Sequence, residues 1–389
     1  MKKLTALLLS LMLVLSLAAC GSNGAASSAP DASAPSTTTP SSSTPTSQEE
    51  TPEVSDVPEV EGADINMAVL AGPTGIGAVG LMEANDAGKT VNNYTFTVHA
   101  ANDEVVAGLA SGEYDIAAVA TNVASTLYAK TSGGVQICAL NTYGVLYILE
   151  NGESVNSVAD LAGKTIYATG QGANPEYVLN YILNQNGLVP GEDVIIEYLD
   201  SESLVAKMAG GEIDLCMLPV PAVTSVLMKN ESVRTALDLT AEWNAVADEG
   251  VLTMGSIVVR TEFAQAHPEA VAAFLEEYAA SIELVQSDVT HAAELCEIYG
   301  IVAKAAVAAK AIPDCNLCCV TGEDVRAAIE PYYTVLFEAN PAASHFLAGS
   351  LVRRRCSGGQ GTAHPFPYRR GKTAGRTGCN GGVLAIHRI

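Results

Sequence analysis

One stretch of this chain occurs twice, and that repetition constrains the fold more than any other feature. Ala110-Ser111-Gly112-Glu113-Tyr114-Asp115-Ile116 leads into the apolar run Ala117 to Ala120 and then Thr121-Asn122. The second copy lies 99 positions on: Ala209-Gly210-Gly211-Glu212-Ile213-Asp214-Leu215, then Cys216 to Leu218, then Pro219-Val220-Pro221. The similarity extends upstream, Asp103 to Ala107 against Glu202 to Ala206. Each copy has the pattern of a short amphipathic helix, a Gly-Glu turn, a buried strand and the start of another helix. Two α/β units of one design predict two lobes with a cleft between them. Ligands of open α/β sheets sit at the carboxyl ends of strands. Thr121 and Asn122 of one copy and Pro219 and Pro221 of the other are therefore expected as facing lips of one cleft.

The stretches around the repeat continue the alternation of strand and helix. Ile65 to Leu70, Tyr94 to His99, Val135 to Leu140, Thr165 to Ala168 and Gly255 to Arg260 have strand patterns. Helices are expected from Pro268 to Gln286, His291 to Tyr299 and Asp324 to Ala339. Pro175 just inside a helix start and Gly187 past its end are the expected punctuation for another. The class is α/β, with mostly parallel sheets and helices on both faces. The expected organisation is a first part of lobe 1 at 63–143, lobe 2 at 144–246, and a return to lobe 1 with C-terminal helices at 247–344.

The flanks differ in kind. Residues 1–20 have Lys2 and Lys3, an apolar stretch from Leu4 to Leu17, and Leu17-Ala18-Ala19-Cys20-Gly21. That stretch is too short to span a bilayer comfortably. Small residues before a Cys are the pattern of a bacterial lipoprotein signal, with Cys20 as the lipid-bearing residue. Residues 21–62 are dominated by Ser, Thr, Pro and Ala, then by acids, and without apolar periodicity are expected to be a disordered tether. After Glu338 there is no acidic residue, and 345–389 hold seven Arg and one Lys. This basic, Gly-rich tail has no helix or strand period and reads as disordered, either a frameshifted or misjoined end or a basic arm. The formal net charge of −23 therefore understates the acidity of the rest, which argues against a nucleic-acid partner.

Two glycine turns carry the candidate ligand chemistry. Gly72-Pro73-Thr74-Gly75 follows the first strand, and Thr169-Gly170-Gln171-Gly172-Ala173-Asn174 follows the strand at Thr165 to Ala168. Glycines after a strand let backbone N–H groups at a helix start approach a ligand closely, and Thr74 adds a hydroxyl. Tyr143, Tyr177 and Trp243 are candidates for stacking on a flat ligand. Gly75, Gly77 and Gly80 also satisfy G-x-G-x-x-G with Asp103 downstream, an alternative NAD-binding reading that the export signal opposes. No Walker lysine follows, no G-x-S-x-G surrounds a serine, and the histidines have no evident Cys or Ser partner, so no catalytic residue is named. Cys315-Asn316-Leu317-Cys318-Cys319 lacks a second ligand pair for a metal and reads as a packed or disulfide-bonded cluster. No metal and no cofactor are expected.

The lipobox, the Ser/Thr/Pro tether, the Gly72 to Gly75 turn, Asp160-Leu161-Ala162-Gly163-Lys164-Thr165 and Thr169 to Gly172 together resemble the solute-binding lipoproteins of ABC importers. Within these, the chain is similar to the subgroup that takes nitrate, sulfonates, taurine or thiamine pyrimidine precursors. Arg260-Thr261-Glu262-Phe263 followed by His267-Pro268-Glu269-Ala270-Val271 is similar to the return strand and helix of that subgroup. The resemblance covers about residues 63–344. It implies a two-lobed type II periplasmic-binding-protein fold and a monomer that is not an enzyme. It also implies a small-molecule ligand, an ABC permease with its ATPase as partners, and an extracytoplasmic place on the membrane through lipid on Cys20. The same superfamily includes pyrimidine synthases with a Cys-rich iron motif, which Cys315 to Cys319 resembles faintly. An exported, tethered chain departs from those intracellular enzymes.

Overall fold

A computed structural model describes residues 62–247 and 250–339. The expected signal segment with Cys20, the tether up to residue 61 and the tail from 345 lie outside the described residues.

The chain builds β1 (Asp64–Leu70), α1 (Pro73–Ile76), α2 (Val79–Asp86), β2 (Asn93–His99), α3 (Asn102–Ser111), β3 (Ile116–Ala120), α4 (Thr121–Lys130) and β4 (Val135–Tyr143). It then crosses to β5 (Leu146–Glu150), β6 (Thr165–Ala168), α5 (Asn174–Gln185), β7 (Ile195–Tyr198), α6 (Ser201–Gly210), β8 (Leu215–Pro219), α7 (Ala222–Leu227), β9 (Arg234–Asp238) and α8 (Leu239–Val246). It returns through β10 (Thr253–Arg260), α9 (Thr261–Ala266), α10 (Pro268–Ser287), α11 (Val289–Ile298), α12 (Ala305–Ala311), β11 (Leu317–Thr321) and α13 (Glu323–Ala339). Two sheets result, ordered β11-β4-β10-β3-β1-β2 and β7-β6-β8-β5-β9.

The repeat has a structural meaning. α3 ends at Gly112 with φ 83° and α6 at Gly211 with φ 71°, both left-handed. Each turns its N–H back onto the last carbonyls of its helix, the close that glycine favours because it has no Cβ to clash. The following strands hold equivalent places. β3 is parallel to β1 and antiparallel to β10; β8 is parallel to β6 and antiparallel to β5.

The sheets are more mixed than the sequence pattern predicts. β1–β2, β1–β3, β6–β7 and β6–β8 are parallel pairs. β3–β10, β4–β10, β4–β11, β5–β8 and β5–β9 are antiparallel. The cause is the crossing of the chain between lobes. Strands of the βα units run toward the meeting of the lobes, whereas β5, β10 and β11 begin there and run away from it. Cys318 and Cys319, expected in a packed cluster, lie in the edge strand β11 as free thiols.

Alternation sets the core of lobe 2. Leu215 and Met217 of β8 join the large cluster shared with β5, β6, α5 and α8, while Cys216 and Leu218 point the other way, under α6 and α7. The first crossover is tightly held. Asn316 accepts from the Tyr143 N–H and donates its side-chain amide to the Gly144 carbonyl. A methyl group on Gly144 would fall 2.1 Å from Thr240 Oγ1 at the start of α8.

Lobe 2 carries one buried ion pair. The Glu150 carboxylate accepts from Arg234, from the Ser154 hydroxyl and N–H, and from the Val155 N–H. Burial pushes the Glu150 carboxyl up, but these hydrogen bonds outweigh it and hold the group below the usual carboxylate range. Its stabilisation is thus present above the unfolded value of about 4.3 and lost as pH falls through the folded one. Arg234→Met leaves that carboxylate unpaired. Because Arg234 is 33% exposed, the expected loss in chemical denaturation is about 2–4 kcal/mol, toward the low side for a broken buried pair. Glu150→Gln should flatten the decline of melting temperature with acid below pH about 4. An unaltered acid profile in that variant would show that the pair does not couple folding to pH.

Candidate functional site

The strands of the first sheet end in polar side chains that have almost no contact with solvent. Asn141 and Thr142 close β4, Thr253 opens β10, and Thr121 and Asn122 follow β3; all five are buried. They gather around Gly255, which pairs with Ala120 on one side and Thr142 on the other. A methyl group on Gly255 would fall 2.4 Å from Asn141 Oδ1, 2.6 Å from Thr74 Cγ2 and 2.9 Å from Thr142 Oγ1. Only glycine lets these three side chains approach the strand. Asn141 Nδ2 donates to the Thr74 carbonyl at 2.9 Å and to the Tyr278 hydroxyl at 3.1 Å, and Thr142 Oγ1 donates to Asn141 Oδ1 at 3.2 Å.

Buried side-chain oxygens here that find no hydrogen-bond partner among the described residues include Thr121 Oγ1, Asn122 Oδ1 and Thr253 Oγ1 at the strand ends and Ser256 Oγ further along β10. A buried polar atom left unpaired costs about 1–3 kcal/mol. Several such atoms at the ends of adjacent strands, beside the N-terminus of a ten-residue helix, are groups suited to meeting a ligand. Their chemistry is neutral. Arg234 is committed to Glu150, and Arg260 is committed to Asp115 at the far end of β10. A bound anion would therefore be met by hydroxyls, amides and the positive end of α4.

Thr74, Thr121 and Asn122 come together here. Gly75, Gly77 and Gly80 do not form a phosphate cradle. Gly75 lies against the Leu70 carbonyl, and Gly77 and Gly80 lie against Tyr278 and Ser281 of α10. The Ser281 hydroxyl donates to the Gly77 carbonyl and accepts from the Leu81 N–H. The G-x-G-x-x-G spacing therefore serves helix packing, and the exposed Asp103 has no such cradle to complete. The Gly72 N–H is taken by the Ile301 carbonyl and the Gly75 N–H by Gly72, while Pro73 begins the four-residue α1.

In lobe 2, Thr169 and Gly170 are half-buried and Gln171 and Gly172 exposed. Gly172 N–H goes to Glu176, and the Tyr177 hydroxyl donates to the Gly172 carbonyl. Gly170 lies against the Pro175 ring, and no heavy atom is within 4 Å of a methyl group built on Gly172. Pro219 and Pro221 are half-buried at the end of β8, with the intervening Val220 N–H bonded to the Val145 carbonyl. Tyr143 is turned toward β11. Burial, and after it the Cys318 thiol beside it, pushes its hydroxyl up. Asn174 is buried and engaged by protein groups: its Oδ1 accepts from the Tyr332 hydroxyl at 2.7 Å, and its Nδ2 reaches the Met254 carbonyl at 3.5 Å. Asn141, Thr142, Thr253, Gly255 and Ser256 were not singled out by the sequence reading. Their signal is polarity inside otherwise apolar strands, which a hydrophobic run conceals.

A separate crevice of about 220 Å³ opens between Tyr147, Val223, Thr224 and Met228 of lobe 2 and Lys310 and Asp314 of the return segment. Burial, then the nearby Asp238, pushes the Asp314 carboxyl up. It lies away from the Gly255 cluster and has none of the unpartnered hydroxyls. Among the described residues no three His, Cys, Asp or Glu side chains gather as a metal site. Burial pushes the thiols up, Cys319 to about 11 and Cys216 and Cys296 to about 12.

Residues 98–288 match the protein-family model described as NMT1/THI5 like. The taurine-binding periplasmic protein of Escherichia coli (strain K12) is 29% identical over 197 residues, 49% of this chain and 56% of that protein. The chain thus spans little more than half the length of this curated relative. A structure of an ABC transporter from Parabacteroides distasonis superimposes with a TM-score of 0.63 at 19% identity, over 75% of this chain and 99% of that one. The periplasmic aliphatic sulphonate binding protein SsuA from Escherichia coli gives 0.62 at 14% identity, over 79% and 98%. The alkanesulfonate-binding protein SsuA from Xanthomonas axonopodis pv. citri, in a structure bound to MOPS, gives 0.59 at 18%, over 76% and 99%. At these identities the structures speak for the fold alone. The chain therefore has an α/β fold of the periplasmic-binding-protein kind, within which residues 98–288 are similar to the NMT1/THI5-like model.

Proposed function

We propose that this protein is the extracytoplasmic substrate-binding component of an ABC importer. It captures a small solute between its lobes and delivers it to a permease with its ATPase. It acts as a monomer, held at the membrane by lipid on Cys20, and it is a receptor and not an enzyme. The observation that supports this reading most is the set of buried, unpartnered hydroxyl and amide oxygens at Thr121, Asn122, Thr253 and Ser256. They lie where ligands of open α/β sheets bind. The solute is of the sulfonate, taurine or nitrate kind, or a thiamine pyrimidine precursor. The names of the taurine- and sulphonate-binding relatives favour the first group. The N-terminus of α4 suits an anion without a cationic side chain. No helix among the described residues is long and apolar enough to cross a membrane.

The engagement of the His99 ring by Glu104 and Tyr114, and of the His291 ring by Glu83, supports a receptor over an enzyme that would use either histidine as the base for a nucleophile.

Titration calorimetry with taurine, short alkanesulfonates, nitrate and a thiamine pyrimidine precursor tests the reading. One of these is expected to bind at one per chain and be recovered intact. Thr121→Val and Thr253→Val should each cost about 0.5–1.5 kcal/mol toward a neutral group, or about 1.5–3 toward a charged one. That is a few-fold to roughly a hundredfold in affinity. Gly255→Ala should weaken binding at least as much, by displacing Asn141 and Thr74. Wild-type affinity in all three folded variants would put the site elsewhere. For the anchor, Cys20→Ala should release the protein from membranes while leaving the melting temperature of the body unchanged; undiminished membrane retention would refute it.

A further inference from the structure

Besides the two crossovers, α13 ties the lobes together, and two adjacent tyrosines on it reach different partners. The Tyr332 hydroxyl donates to Asn174 Oδ1 at the start of α5 in lobe 2, at 2.7 Å. The Tyr333 hydroxyl donates to the carbonyl of Thr121 in lobe 1, also at 2.7 Å. Neighbouring residues on a helix point about 100° apart, so one turn of α13 can grip both lobes. The Tyr332 ring packs on Trp243 of α8, with centroids 5.8 Å apart, and Trp243 packs on Tyr181 of α5 at 4.6 Å. Trp243, Tyr332 and Tyr333 are all fully buried. The second crossover lies on the same helix: a methyl group on Gly250 would fall 2.7 Å from Pro331 Cβ.

We propose that α13 is the closing strap of the molecule. The Tyr332–Asn174 bond holds lobe 2 shut, and the Tyr333–Thr121 bond couples that closure to the residue that heads the ligand site. Tyr332 and Tyr333 are positioning residues and touch no solute. Asn174, which heads a glycine turn suited to ligand binding, serves the closure instead. The proposal rests on the reading that the lobes open and close on a solute. When they part, the Tyr332 hydroxyl and the Asn174 amide are both released to water. The bond therefore shifts the balance between closed and open forms by about three- to tenfold, as one net hydrogen bond does.

The chain supplies its own reporter, because Trp243 is its single tryptophan. Acrylamide quenching of Trp243 and hydrogen exchange of the first turn of α5 are read on the full chain without added solute. Tyr332→Phe and Asn174→Ala are each expected to raise both by about three- to tenfold, and the double variant no further than either. Tyr333→Phe is expected to raise exchange at the first turn of α4. Circular dichroism melts confirm that the variants are folded, and Asn174→Ala carries the test should Tyr332→Phe not fold. Quenching and exchange at wild-type levels in the folded variants, or effects that add in the double, would overturn the strap. Both readouts are independent of ligand. A wild type that binds none of taurine, alkanesulfonates, nitrate or the thiamine pyrimidine precursor, while the variants show these shifts, supports the strap and counts against the solute reading.

Discussion

The crossover at Tyr143-Gly144 governs how the two sheets meet. Gly144 lies so close to Thr240 that no side chain fits between them, and Asn316 holds the crossover backbone from the other side. This brings the cleft end of β4 within one turn of the start of β5. Strands of the βα units then run toward the junction, and strands that begin there run away. The antiparallel pairs of the second sheet, both made by β5, follow from that passage, and those of the first sheet from the return through β10 and β11. β3 and β8, the two products of the repeated segment, each lie between a parallel and an antiparallel neighbour in their own sheet.

The junction is costly by design. Hydroxyl and amide oxygens that a stable core would pair are left without partners at Thr121, Asn122, Thr253 and Ser256. In the proposed binding role, a solute with complementary groups would offset that cost, and any contact it made to lobe 2 only in the closed form would favour that form. Aromatic side chains add a second link between the lobes: Tyr332 of α13 packs at a tilt on Trp243 of α8, which in turn packs on Tyr181 of α5, and this apolar contact requires no ligand charge.

Much of this was legible in the sequence. Gly112 and Gly211 announce left-handed helix ends at matching positions, and the apolar runs after them announce buried strands, so two related lobes follow. The place of Thr121 and Asn122 at the end of β3 was legible from the apolar run that precedes them. Strand direction was not, because periodicity carries no sign: β5, β10 and the βα strands read alike. Asn141, Thr142, Thr253 and Ser256 were hidden inside hydrophobic runs, and their grouping depends on Gly255, whose role is clear only once β3 and β4 flank it. Gly75, Gly77 and Gly80 had the spacing of a nucleotide turn, yet Gly75 lies against the Leu70 carbonyl and Gly77 and Gly80 admit α10. Spacing alone does not tell a glycine that admits a phosphate from one that admits a helix. Asn174 had the right turn for a ligand, and only the fold brings Tyr332 to it from 158 residues away.

In the proposed role, one solute touches both lobes at the ends of their strands. Diffraction from crystals of the protein grown with taurine would show this contact. The expected result is density in contact with Thr121 and Asn141 on one side and with the turn from Thr169 to Gly172 on the other. Taurine seated on one lobe alone, or lodged in the crevice beside Lys310 and Asp314, would contradict it.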